Sequence, residues 1–141
     1  MKKTTGELLN LLKNTPTASS YLETISDQLT QQIPLSVYLH DVLHEKSQSK
    51  SELIRRSGLE RSYVYDILSG KRSPSRDKVL ALCFAVPLTA EETQKLLKIT
   101  GYAPLYIRME RDSIIYFGLQ HGLTLMDTNE LLYEMNHPLL L

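Results

Sequence analysis

Cysteine is nearly absent. Cys83 is the one thiol, so no disulfide framework can form within the chain. It lies in an apolar run, where a buried thiol acting as a small hydrophobe is expected. No stretch approaches the ~18 apolar residues of a membrane span. The N-terminus, MKKTTGELLNLLKNT, has two lysines, but its apolar residues are interrupted and no small-residue cleavage site follows. It does not read as a secretory leader. These absences predict a soluble, cytoplasmic protein without a membrane anchor. Net charge is lacking too: 16 Lys and Arg balance 16 Asp and Glu.

The balance hides a strong asymmetry. Residues 1–45 carry three basic and five acidic side chains, a net of −2. Residues 46–78 carry nine against four, a net of +5. Residues 79–141 carry four against seven, a net of −3. A basic block on a neutral chain is the electrostatic footprint of a nucleic-acid reader. The competing reading is an ordinary solvated helical face.

The basic block contains a pair of short helices. Ser49 precedes Glu52 by three positions, a capping-box start. Leu53 and Ile54 give the first helix an apolar face, and Ser57-Gly58 ends it, since glycine accepts the left-handed conformation at a helix terminus. Leu59 should point inward. A second helix runs from about Arg61 to Ser69, with Val64, Ile67 and Leu68 at helical spacing. Gly70 closes it, followed by Lys71, Arg72 and Pro74.

In order and spacing, Ser49, Leu53, Ile54, Gly58, Leu59, Val64, Ile67, Gly70, Lys71, Arg72 and Pro74 resemble the helix-turn-helix of the phage-repressor (Xre, or Cro/CI) family. Ile54 stands where that family usually has Ala, Lys50 where Gln is common, and Leu68 where an acidic residue is common. The resemblance implies an all-α protein, a small bacterial regulator. It would have a five-helix repressor-like domain over 34–101, between an N-terminal helical arm (1–33) and a C-terminal helical hairpin (102–141).

The rest of the chain fits that plan. Residues 4–14 and 18–31 read as two arm helices separated by Thr15-Pro16-Thr17. Pro34 starts the next helix, for which Leu35, Val37, Tyr38, Leu39, Val42 and Leu43 supply a broad face expected to be buried. Ser75 caps a helix to about Ala85, and Thr89 with Glu92 caps another that Gly101 ends. The core is expected to be complete by Gly101. Beyond it, Asp112 is expected to cap a helix over 113–121, and Thr124 a last helix over 125–136. Leu139–Leu141 form an apolar tail.

The family motif places Arg61, Ser62, Tyr65 and Asp66 at base edges, because the N-terminal part of a recognition helix enters the major groove. Lys50, Tyr63, Lys71, Arg72 and Arg76 would then reach phosphates. The expected partner is double-stranded DNA, bound by a homodimer on a two-fold operator. The faces of Ile115, Leu119, Leu131 and Met135, with the 138–141 tail, are the expected dimer surface, and the N-terminal arm is the next candidate. A protein-interaction module that keeps this fold without binding DNA is the alternative, favoured by Asp66 and the weak overall charge; it would need a protein partner. His40-Asp41-Val42-Leu43-His44 comes near a zinc-protease motif, but Asp is shorter than the required Glu and no third ligand stands out. No metal, cofactor, catalytic residue or enzymatic activity is expected.

Overall fold

The computed structural model describes residues 3–29 and 31–140, and among these every regular element is helical. The chain divides into two compact units, 1–31 and 32–141.

The first unit holds α1 (Thr5–Asn14), α2 (Ala18–Thr24) and a 3-10 turn (Ser26–Gln28). The hydroxyls of Thr4 and Thr17 cap the two helices, accepting from the N–H groups of Glu7 and Ser20. The Tyr21 hydroxyl donates to the Leu8 carbonyl at 3.3 Å and ties α2 to α1. The single helix expected over 18–31 is thus interrupted at Ile25, which leaves the helical region and starts the 3-10 turn.

The second unit contains α3 (Leu35–Glu45), α4 (Lys50–Ser57), α5 (Arg61–Ser69), α6 (Arg76–Ala85), α7 (Ala90–Thr100), α8 (Glu110–Gln120) and α9 (Leu125–Glu134). Local chemistry sets most boundaries. Ser49, Ser75 and Thr124 cap α4, α6 and α9 through their hydroxyls. Thr89 and Glu92 complete a reciprocal capping box on α7. Every residue of α6 from Val79 to Ala85 is buried, so this helix runs through the middle of the core. It packs on α4 and α9, while α3 packs on α5 and α7. Burial pushes the Cys83 thiol up to about 12, so this cysteine is inert packing.

The core does not close at Gly101. Ile115, Leu119, Leu132 and Leu140 lie in the same buried cluster as Leu39, Leu53 and Val64. Two side-chain amides hold the segments that lead there. Gln94 donates to the Leu105 carbonyl and accepts from its N–H. Asn129 does the same for Leu140. Arg111 pairs with Asp77 and donates to the Pro138 and Leu139 carbonyls, so the described part of the expected bare tail is tied down; residue 141 lies outside the described residues.

Asp112 does not cap a helix. The helix starts earlier, at Glu110, after Met109, which makes no side-chain cap. Asp112 instead faces Arg76 and accepts from the Tyr106 N–H. Burial alone would raise its pKa. The hydrogen bonds from Arg76 and Tyr106, with the charges of Arg76 and Arg111, outweigh that and hold the carboxyl below its usual range.

Two glycines matter to this packing. Gly118 lies where α8 crosses α9, and a Cβ there would collide with the buried Thr128 side chain. Gly58 ends α4 at φ 69°, with nothing within 4 Å of the position of a Cβ. The need for glycine at 58 is therefore backbone strain alone. Gly58→Val should lower stability by ~1–2 kcal/mol in denaturant titration, and Gly58→Asn by less. Equal stability of Gly58→Val and the parent chain would show that the turn does not need a left-handed residue.

Candidate nucleic-acid interface

The turn after Gly58 sets α5 against α3. Val64, Ile67 and Leu68 face inward and are buried. Leu59 and Ile54 pack on the same core as partly buried side chains. A hydrogen bond locks α5 to α3: His40 Nε2 lies 3.0 Å from the Leu68 carbonyl oxygen. That oxygen can only accept, so Nε2 carries the proton. The ring of His40 is thereby engaged in holding two helices together. No group of three or more candidate metal-binding side chains occurs among the described residues.

With its apolar side anchored, α5 presents Arg61, Ser62 and Tyr65 to solvent. Tyr65 is 41% exposed and gathers two cations. Lys50 Nζ, from the first turn of α4, lies 5.6 Å from the ring centroid. The Arg61 guanidinium carbon lies 6.0 Å from it. Cations from both helices thus lie over one aromatic ring, whose quadrupole attracts each charge. Ser62 Oγ donates to Glu60 Oε1 at 2.8 Å. Asp66 is half-buried, and its carbonyl accepts from the Arg72 N–H and the Ser69 hydroxyl.

A second cation–aromatic group sits elsewhere on α5. Tyr63 is half-buried against the core. The Arg72 guanidinium carbon is 4.9 Å from its ring centroid, and Lys78 Nζ is 4.5 Å from it. Residues 63 and 65 are two apart on a helix, about 200° around its axis. The two groups therefore flank α5 on opposite sides. Lys71 and Arg72 are exposed just past Gly70.

Arg76 is placed differently from Lys71 and Arg72. Its guanidinium makes a paired contact with both Asp112 oxygens, at 3.2 and 2.9 Å, and donates to the Ala103 and Pro104 carbonyls. Four of its five N–H donors are used within the chain. It is a structural clasp between α6 and α8. Sequence reading passed over Lys78, which completes the setting of Tyr63. The two are far apart along the chain, and nothing local to Lys78 points to Tyr63.

Capped α4, a left-handed Gly58, and α5 anchored on one side with cations on the other make a helix-turn-helix of the kind that reads DNA. Residues 38–92 match the family model for the Cro/C1-type HTH DNA-binding domain. The chain carries a phage-repressor-type helix-turn-helix domain, all-α as that class requires. No curated protein and no solved structure gives a significant match. No helix among the described residues is long and apolar enough to cross a membrane.

Proposed function

We propose that this protein is a sequence-specific transcriptional regulator that acts in the cytoplasm and binds a two-fold operator as a homodimer. The observation that carries this is the meeting of Lys50 and Arg61 over Tyr65 at the exposed start of α5. Arg61, Ser62, Tyr65 and Asp66 reach base edges in the major groove, where an arginine can contact guanine O6 and N7 together. Lys50 takes a phosphate beside α4. Tyr63, Lys71 and Arg72 take the backbone on the other side of the recognition helix. Arg76 is assigned no such role, because four of its five donors are already used on Asp112 and two carbonyls.

Selection of bound fragments from a random DNA pool, repeated at rising salt, tests the reading. A two-fold consensus should emerge, and affinity should fall steeply with salt as counterions are released. Absence of any enriched sequence, with no mobility shift on any duplex, would instead favour the fold acting as a protein-interaction module. Neutralising a phosphate contact has its own signature. Lys71→Ala should weaken binding about equally for all sequences and flatten the salt slope by about one unit. A change in the preferred sequence would show that Lys71 reads bases.

A further inference from the structure

A groove of about 850 Å³ separates the helix-turn-helix from α9. On one wall stand Arg55, Arg56, Leu59, Tyr63 and Lys78, with Glu60 at the edge. On the other stand Met126, Glu130, Tyr133, Glu134 and Leu139. Lys50, Arg61, Tyr65, Lys71 and Arg72 are not part of it, so occupation of the groove leaves them free; Tyr63 does line it, and a partner seated there takes the place of its phosphate contact.

The two walls carry opposite charge. The first has three cations and one carboxylate; the second has two carboxylates and no cation. Arg55 and Arg56 share a single partner, Glu52, so one positive charge of that pair is uncompensated. Among the described residues, Lys78 has a ring but no carboxylate paired with it. Glu130 and Glu134 are exposed and make no ion pair with any described residue. Beside these acids, α9 exposes large apolar side chains. Met126 is 72% exposed and Tyr133 75%. At positions i, i+4, i+7 and i+8, Met126, Glu130, Tyr133 and Glu134 share one face of the helix. Thr128 and Leu132 occupy the buried face.

We propose that this groove and the exposed face of α9 form the dimer interface, with a second copy of this chain as the occupant. A two-fold axis places the acidic wall of one copy against the basic wall of the other, twice, so one patch complements itself. Met126 and Tyr133 enter the partner's groove, and Glu130 and Glu134 meet the partner's Arg55 and Arg56. The proposal rests on the homodimer reading above and corrects its expected surface. Ile115 and Leu119 are inside the chain's own core, whereas Met126 and Tyr133 are free.

Sedimentation equilibrium of the full chain, without DNA, tests this separately from DNA binding. The parent chain should run at twice its 16.1 kDa mass at tens of micromolar. Two double variants are then made, E130K/E134K and R55E/R56E, with folding checked by circular dichroism. Each sets like charge against like charge in its own homodimer and should raise the dimer dissociation constant by ~100-fold or more. Mixed together, they should dimerise again. One contact of the mixed dimer is native and the other is its charge-reversed copy. A structural defect in either variant would not be rescued by the other. A monomeric parent chain, variants that remain dimeric, or a mixture that stays monomeric would each overturn the proposal.

Discussion

A chain ended at Arg111 is expected to lose cooperative folding of residues 32–111. The cut removes Ile115, Leu119, Leu132 and Leu140, all within the common core. Burying an aliphatic side chain contributes roughly 1.5–3 kcal/mol, so four amount to roughly 6–12 kcal/mol. A whole domain is stable by only about 5–15 kcal/mol. The cut also strips Arg76 of Asp112 and leaves the α6 face that packs on α9 open to water. Thermal melting followed by circular dichroism should show a broad, low transition or none. A sharp melt within a few degrees of the full chain would mean that residues 34–101 are self-sufficient after all.

The largest effect on binding is expected from Arg61→Ala. Arg61 stands at the start of α5, and the Tyr65 ring steadies its guanidinium. If it pairs with guanine, its loss removes ~1–3 kcal/mol of discrimination. Affinity for the selected operator should fall ~10–100-fold, while affinity for unrelated duplex falls far less. Titration of both DNAs at one salt concentration measures the two together. An equal loss on both would demote Arg61 to a backbone contact. Tyr65→Ala should show the same pattern more weakly, because it loosens Arg61 and Lys50 without removing either charge.

The elements that carry the candidate site were legible because their signals are local. Ser49, Gly58 and Gly70 act within one turn of their own position, and α5 spans Arg61–Ser69 as its apolar spacing predicts. Arg76 was not legible in the same way. Its partner Asp112 lies 36 positions away, and nothing near either residue announces the pair. Position alone made Arg76 look like one more cation after Pro74 and made Asp112 look like a cap. The tail misled for a similar reason. Leu139–Leu141 read as spare apolar surface, yet Asn129 and Arg111, 11 and 27 or more positions away, fix the backbone of residues 138–140. The α9 face that remains open was hidden by its companions. Leu131 and Met135 seemed the outward pair, whereas Met126 and Tyr133 are the more exposed.

The crossing of α8 and α9 constrains how this protein can vary by descent. Every single-base change in a glycine codon that is not silent yields a residue with a Cβ or a stop. At Gly118 every such Cβ meets Thr128, nearer than real Cβ atoms approach their neighbours. Position 118 is thus closed to single-step change while Thr128 stands. Thr128→Ala, itself one base away, removes the two atoms that crowd the site most. A lineage can leave glycine at 118 only after residue 128 has been cut back, and once a larger side chain settles at 118 the threonine cannot return. The order of the two changes is therefore imposed by geometry, and descendants on either side of that step would not tolerate each other's helix.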